Sequence, residues 1–493
     1  MTRALRRTAV AMFLLFGALF LNLNYVQVVQ SDDLSEDPRN SRTLLREYEV
    51  ARGLMLAGDD ETVLAESEET DGQLRFQRRY PEAGDYAHLT GYVAVNYGLT
   101  ELEQSFNDEL AGRAQEAFGR NVADILAGRE RTGDDLALTI DPTVQQAALD
   151  ALDGRPGAAV AIDPRSGAIL ALASTPTFDP NRLADHDREA AAQAWEELNE
   201  DPDRPLINRA AREWWPPGST FKLVTAAAGL EQGISPSATY DDPVRLELPQ
   251  TTATIGNFGG GPCVDGDQIT VTTAMEVSCN TTFAEMAMEV GDDALIEQAE
   301  RFGFNAEPLE QLANPLASRF PTELNEPQTA QTGIGEFDVR ATPLQMAQVA
   351  AAIGNGGVLM EPRVVEAVRD ERGATLAQHP AQPFVPPGQD SSQAISSSTA
   401  SALRAMMIDV VDEGTGTNAQ IDGVDVAGKT GTAQAREDES APTPWFAGFA
   451  PAVNPEVAVA VVFEDGGGAG AGATGGSVGA PAARTIMQAA LAD

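Results

Sequence analysis

Lysine is almost missing from this chain: of its 33 basic residues, only Lys222 and Lys429 are lysines. Cysteine and histidine are as scarce, at two and three residues. That is too few for a zinc ribbon or an iron–sulfur site, so no metal and no cofactor are expected. Positive charge is short altogether, with 33 basic against 74 acidic residues and a formal net charge of −41 at pH 7. A field of that sign repels polyphosphates and argues against nucleic acid as a partner; its plain reading is a solvated acidic surface. Long apolar runs are absent except at the N-terminus. The scarcity of lysine gives the two that remain weight. Arginine stays protonated in proteins, whereas a desolvated lysine can lose its proton and act as a base.

The 493 residues allow about two to four domains of roughly 150 residues each. With 43% hydrophobic and 22% charged residues, the composition is that of an ordinary globular protein. Arg3, Arg6 and Arg7 precede an apolar run, Ala9 to Val29, long enough as a helix to span roughly 30 Å of hydrocarbon. Basic residues before it and Asp32, Asp33 and Glu36 after it orient the N-terminus inside and the bulk of the chain outside. No A-x-A-like site follows, so an uncleaved single-pass anchor is expected rather than a signal peptide. The expected organisation is a cytoplasmic stretch 1–8, a transmembrane anchor 9–29, a small strand-rich module 30–135 and a large domain 136–493.

In the large domain Leu136 to Ile140 reads as a strand, and Asp141-Pro142 opens an amphipathic helix carrying Val144, Ala148 and Leu152. Ala158–Asp163 and Ala168–Ala173 read as a strand pair, as do Trp445–Ala450 and Val457–Phe463, while Arg484–Leu491 reads as a closing helix. Strands at both ends of a helix-rich middle indicate an α/β (α+β) domain.

Lys222 lies in Trp215-Pro-Pro-Gly-Ser219-Thr-Phe-Lys222. Pro and Gly before Ser219, with helix formers after it, place the serine at a helix N-terminus. The three-residue spacing puts Ser219 and Lys222 on one face. A serine hydroxyl is a weak nucleophile that an adjacent desolvated amine can deprotonate, and a helix terminus offers N–H donors to an oxyanion. Lys429 opens Lys429-Thr430-Gly431-Thr432-Ala433, which reads as a strand. Gly431 would leave room for a substrate along the edge, and Lys429, Thr430 and Thr432 could hold a carboxylate. Between them Ser278-Cys279-Asn280 offers a hydroxyl for proton relay and an amide that donates and accepts. Cys263 and Cys279 are the only cysteines, in a chain expected outside the cytoplasm. A disulfide closing that loop would be worth about 3 kcal/mol in the chain-entropy model. The alternative is a buried small hydrophobe and a free thiol.

Taken together and in this order, the motifs resemble the S-x-x-K, S-x-N and K-T-G set of penicillin-binding transpeptidases and serine β-lactamases. The resemblance continues outside them. Arg52-Gly53, Tyr80-Pro81, Ala87–Tyr92 and Tyr97–Glu103 resemble the N-terminal module of class B penicillin-binding proteins. Ala158–Pro176, Asn208-Arg209, Gly333–Phe337 and Trp445–Ala450 resemble their transpeptidase domain. Size, the single anchor and the lack of appended C-terminal repeats are similar to actinobacterial members. The resemblance implies a penicillin-binding transpeptidase/β-lactamase-like fold, with Ser219 as acylated nucleophile, Lys222 as its base and Ser278 as proton relay. It implies that Asn280 positions the donor peptide, that Lys429, Thr430 and Thr432 bind its carboxylate, and that the N–H groups of Ser219 and Thr432 form the oxyanion hole. The implied partners are peptidoglycan stem peptides, β-lactams as inhibitors, and a membrane-embedded glycan polymerase of the SEDS family docking on the N-terminal module as a pedestal.

Other features compete. Gly470-Ala-Gly472-Ala-Thr-Gly475 matches a dinucleotide fingerprint, but no room remains for the ribose-binding acid, and a flexible Gly-rich loop is expected. Trp214 and Trp215 could line an acceptor groove or simply pack. A β-lactamase would need a deacylating carboxylate, and in Glu323-Leu-Asn325 the Glu stands two positions too late for E-x-x-L-N. A purely scaffolding role is disfavoured by the intact Ser219, Lys222, Ser278, Asn280 and Lys429.

Overall fold

The structure is a computed structural model describing residues 2–26, 48–58, 62–114, 131–433 and 441–492. Its centre is a five-stranded antiparallel sheet in the order Ala427–Ala433, Thr443–Ala450, Val457–Phe463, Gly157–Ile162, Ile169–Thr175. Every residue of Thr443–Ala450 and Val457–Phe463 is buried, as a sheet covered on both faces requires. Helices Pro142–Leu152 and Ala480–Ala490 pack together against the sheet, and Pro343–Gly354 covers a second surface of it. The first of these starts where the Asp141 carboxylate accepts from the N–H groups of Thr143 and Val144, with Pro in the first turn. Both strand pairs read from the sequence are present, and the closing helix begins a turn earlier, at Ala480.

The strand Ala427–Ala433 forms one edge of this sheet. Against it packs a group of helices that includes Lys222–Glu231, Val271–Glu276, Asn280–Val290 and Ser397–Asp412. The chemistry collects at that junction.

A second, six-stranded sheet runs Thr375–Gln378, Val365–Arg369, Asp135–Leu138, Met55–Ala57, Thr62–Glu69, Phe76–Arg79. A boundary drawn at 135/136 therefore passes through a strand, and the hairpin 365–378 reaches this sheet from deep within the chain. The hairpin pairs with Asp135–Leu138, which would otherwise leave an open sheet edge. Sequence order could not reveal this long-range pairing.

A buried charge cluster sits within the apolar core of the small module. The Glu103 carboxylate, fully buried, accepts from Arg52 Nε at 2.9 Å, Arg78 Nε at 2.6 Å and Tyr80 Oη at 3.3 Å. Burial alone would raise its pKa, but Arg78 and Arg52 outweigh burial and hold the carboxyl below its usual range. The module meets the large domain through Tyr80 N donating to Asn181 Oδ1 (2.9 Å), Asn208 Nδ2 to the His88 carbonyl (2.8 Å) and Arg212 to Glu101 (3.0 Å). His88 donates from Nε2 to the Pro205 carbonyl at 2.7 Å, and burial lowers its pKa to about 4, so it is a neutral structural group.

At the N-terminus Thr2–Asn24 is helical, and Leu5–Asn24 is apolar, exposed and long enough to cross a membrane. Val28 and Val29, placed in the anchor from the sequence, lie outside the described residues.

Replacing Glu103 by Gln removes the counter-charge of the buried Arg78. The expected loss is about 3–5 kcal/mol of unfolding free energy, read from the urea midpoint. The folded pKa of Glu103 lies below its unfolded value, so its contribution is present above pH ~4.3 and is lost as pH falls through the folded value. The Gln variant should lose that part of the acid dependence, and an unchanged midpoint and acid limb would refute the assignment.

Candidate active site

Ser219 sits in a tight 3-10 turn, Gly218–Phe221, that feeds directly into the helix Lys222–Glu231. The turn is locked from two sides. Gly218 N donates to the Gly335 carbonyl at 3.1 Å, and a Cβ on Gly335, whose φ is +78°, would stand 2.0 Å from the Gly218 carbonyl oxygen. Only glycine permits that approach. Upstream, Trp215 and Ala341 exchange backbone hydrogen bonds (3.1 and 2.9 Å), and Trp445 Nε1 donates to the Pro216 carbonyl at 3.0 Å. Trp215 is fully buried and packs, whereas Trp214 is half-buried with Nε1 donating to the Ala317 carbonyl.

Both lysines converge on one hydroxyl. Lys222 Nζ donates to the Ser278 carbonyl (2.8 Å), Ser278 Oγ (3.3 Å) and Asn280 Oδ1 (2.7 Å). Lys429 Nζ donates to the same Ser278 Oγ (2.8 Å) and to the Thr430 carbonyl (3.0 Å). Both lysines are fully buried. Burial, then the neighbouring Lys429, push the Lys222 pKa well below its ordinary value, against an opposing pull from Glu336. Burial lowers that of Lys429 to about 7. Ser278 itself takes φ +63°, a left-handed conformation unusual for a residue with a side chain and of the kind found at functional sites.

That loop is pinned by two devices. Cys279 is bonded to Cys263, with Cα atoms 5.7 Å apart. Asn257 Oδ1 accepts from the N–H groups of both Asn280 (2.9 Å) and Thr281 (3.1 Å), capping the helix Asn280–Val290 from 23 residues upstream. Asn280 Nδ2 in turn donates to the Gly256 carbonyl at 3.0 Å, so its amide is oriented at both ends.

Above these groups lies a cleft of about 910 Å³ lined by Ser219, Ser278, Asn280, Thr430 and Thr432. Lys222, Lys429 and Gly431 stand behind its wall. The Thr430 carbonyl accepts from Lys429 and so points away from the neighbouring strand Thr443–Ala450. By the two-residue period of an antiparallel pair, Thr432 N–H also points outward, toward the cleft. Gly431 has a different reason from the one read in the sequence. A Cβ there would meet the Pro217 carbonyl and the Thr220 methyl at 2.9 Å, so the glycine admits the Ser219 turn rather than a substrate.

The Gly-rich stretch 470–475 also departs from expectation. Its end packs on the site: Gly475 N donates to Thr432 Oγ1 at 3.2 Å, and Thr474 and Gly476 line the cleft. Thr415 joins as well, sharing a 2.6 Å hydrogen bond with Thr430. None of Asn257, Thr415, Thr474 or Glu336 was singled out from the sequence as a site residue, because each comes from a loop without periodic signal. Only the G-I-G-E-F stretch hinted at the last. Asn325, in the near-match to a deacylation motif, caps the helix Glu326–Thr332 in a capping box with Gln328.

A mixed α/β fold with a serine, two buried lysines and a hydroxyl between them defines a serine acyl-transfer site. The model of the penicillin binding protein transpeptidase domain matches residues 157–488, and that of the penicillin binding protein A dimerisation domain matches 52–136. The chain belongs to the penicillin-binding transpeptidase family. It is similar to peptidoglycan D,D-transpeptidase PbpA of Mycolicibacterium smegmatis, 41% identical over 100% of this chain and 99% of the relative. PbpA of Mycobacterium tuberculosis is 39% identical, again over 100% of this chain and 99% of its own. Among solved structures, penicillin-binding protein A of M. tuberculosis as a ceftriaxone acyl-enzyme complex aligns with a TM-score of 0.85 at 38% identity, covering 91% of this chain and 100% of that one. Its penicillin G acyl-enzyme complex aligns at 0.82 and 38% identity, covering 90% and 100%.

Removing the Asn257 cap tests whether this distant residue serves the site. Asn257→Ala should cost about 0.5–2 kcal/mol of stability, the range for a lost N-cap. It should also slow acylation by penicillin, since Asn280 and Thr281, just after Ser278, lose their shared anchor. A full stability loss with an unchanged acylation rate would make Asn257 structural only.

Proposed function

We propose that the chain is a peptidoglycan D,D-transpeptidase that cross-links stem peptides through an acyl-enzyme on Ser219 and is inhibited by β-lactams. The observation carrying this reading is the meeting of both lysines at Ser278 Oγ beside Ser219. A buried Lys222 with a depressed pKa holds a neutral fraction and takes the Ser219 proton as the hydroxyl attacks the penultimate D-Ala carbonyl. Ser219 and Thr432 N–H groups receive the oxyanion. As the C–N bond breaks, Lys222 returns the proton through Ser278 to the departing D-Ala amine. Lys429, Thr430 and Thr432 take the terminal carboxylate, and Asn280 positions the donor peptide. An amine from a neighbouring strand then resolves the ester. Ser219 Oγ makes no hydrogen bond to another described residue, in keeping with apo sites whose catalytic contacts tighten only when substrate is bound. The relatives' β-lactam acyl-enzyme complexes support the inhibitor assignment.

The N-terminal helix would cross the membrane with residues 1–8 cytoplasmic and the catalytic domain outside, where the substrate lies. Residues 30–135 would form a pedestal, with the hairpin 365–378 completing its sheet, that docks on a SEDS-family glycan polymerase. The description of the matching domain as a dimerisation domain favours a second reading, in which this module pairs with another copy of the chain.

Intact-mass spectrometry with penicillin should show one drug-mass adduct on wild type and none on Ser219→Ala. Rapid turnover to free product would move the protein to the β-lactamases. Lys222→Arg should slow acylation about 10²–10⁴-fold, the usual worth of a general base, because a guanidinium keeps its proton. Lys429→Arg keeps the charge and should be milder. Near wild-type acylation by Lys222→Arg would sink the base assignment.

Pull-down of full-length protein from membranes should recover the polymerase. Loss of that capture after replacement of the module by a spacer is expected. Recovery of only a second, differently tagged copy would favour pairing.

A further inference from the structure

We propose that a cavity at the base of the hairpin 365–378 binds a small carboxylate that carries an N–H on its neighbouring carbon, the chemistry of a free amino acid or of a peptide C-terminus. Arg363 takes the carboxylate and Glu361 the N–H. The site is independent of the reaction at Ser219.

The observation behind it is an unpaired cation. Arg363 Nε and Nη1 are shut off from solvent, yet neither has a hydrogen-bond partner among the described residues. A guanidinium keeps its charge under any burial, and a shielded charge without a partner is costly. Arg209, by contrast, is buried against Glu464 and two carbonyls. Shielded polar groups of folded proteins are nearly always paired, so these atoms suit an anionic ligand from outside the chain.

Arg363 lines a cavity of about 200 Å³ together with Glu361, Gln378, His379 and Gln382. Drug-sized ligands occupy roughly 300–1,000 Å³, so this ligand is smaller. The walls are fixed by the backbone. Arg363 N donates to the Gly167 carbonyl (3.0 Å), Glu361 N to the Gln382 carbonyl (2.9 Å) and His379 N to the Glu366 carbonyl (2.8 Å). Gln311 clamps the next residues, its Oε1 accepting from the N–H groups of Val364 (2.7 Å) and Val365 (2.9 Å).

Glu361 decides the kind of anion. Its Oε2 accepts from Gln382 Nε2, which leaves Oε1 for a ligand. A plain anion would be drawn to Arg363 and repelled by Glu361. A carboxylate with an N–H beside it satisfies both, through a forked pair with the guanidinium and a donated hydrogen bond to Glu361. None of these residues lines the Ser219 cleft. They stand instead where three parts of the fold meet. The stretch 361–363 belongs to the large domain, and Gln378 ends the hairpin that extends the other sheet. Phe106 of the small module meets the His379 ring edge-on, with centroids 6.0 Å apart.

The test is a thermal titration of full-length protein in detergent, in Tris-chloride at fixed ionic strength. Glycine probes the free amino acid, N-acetylglycine the peptide end, and acetate the carboxylate alone. The melting midpoint should rise saturably with glycine or N-acetylglycine, and the one acting at lower concentration identifies the source. Acetate should need about tenfold more, the worth of the missing hydrogen bond to a charged group. Arg363→Met keeps the length of the stem and removes the charge. It should abolish the rise, and without any probe it should melt above wild type. Glu361→Ala should narrow the disadvantage of acetate. The rise should survive prior treatment with penicillin, which would fill the Ser219 cleft. The wild-type titrations need no variant: no saturable rise with either N–H-bearing probe overturns the proposal, and acetate acting as well as glycine and N-acetylglycine overturns the role of Glu361. A rise that persists in Arg363→Met, or one lost after penicillin, places the probe elsewhere and also overturns it.

Discussion

Two fully buried ammonium groups that meet at one hydroxyl are costly at full charge. Lys222 and Lys429, each fully buried, both reach Ser278 Oγ, at 3.3 and 2.8 Å. Like charges so close in a low dielectric repel strongly, so deprotonation of at least one is the cheaper state. That constraint holds the pair below its ordinary basicity, and much of the surrounding structure maintains it. The edge strand brings Lys429 from one side, and the helix Lys222–Glu231 brings Lys222 from the other. The disulfide and the Asn257 cap keep Ser278 in its left-handed conformation between them. Slackening any of these would admit water, rehydrate the amines and restore their ordinary basicity.

The location at a sheet edge follows from the same need. A strand buried within a sheet has its N–H and C=O groups consumed by two neighbours, whereas Ala427–Ala433 has one. Its outward groups remain available to an extended peptide, the arrangement by which sheet edges bind peptides generally. An exposed edge invites indiscriminate pairing. Here the helices, the Ser219 turn and residues 474–476 crowd it until only the cleft remains.

Part of the candidate site was legible because it is local. Ser219 and Lys222 are three residues apart, and their helix follows from Pro and Gly before and helix formers after. The strands at Trp445–Ala450 and Val457–Phe463 announced themselves through short apolar stretches, and the helix Pro142–Leu152 through its Asp-Pro start. What escaped is what depends on distant partners. Asn257 caps a helix whose own N-cap residue, Cys279, contributes no side-chain hydrogen bond. The hairpin 365–378 extends a sheet begun more than 300 residues earlier, and no pattern of alternation encodes that pairing. Gly431 was rightly noticed for lacking a side chain, but which neighbour required the space is a question of tertiary packing. The stretch 470–475 looked free because glycine usually means freedom, whereas its end is bonded to Thr432.

The scarcity of lysine takes its meaning from comparison with buried arginine. Arg209 is as fully buried as either lysine, and it is surrounded accordingly. Its Nε donates to Glu464 at 3.1 Å, and its two terminal nitrogens donate to the carbonyls of Arg204 and Asp203. Arg78 is likewise buried against Glu103. A guanidinium holds its charge under any burial, so it must be given a carboxylate or an array of carbonyls. Among the described residues, neither Lys222 nor Lys429 has a carboxylate within ion-pair distance. They contact hydroxyl, carbonyl and amide oxygens, partners that an amine can keep after losing its proton. The fold thus places arginine where charge is permanent, and holds Lys222 and Lys429 on partners that do not require it to be.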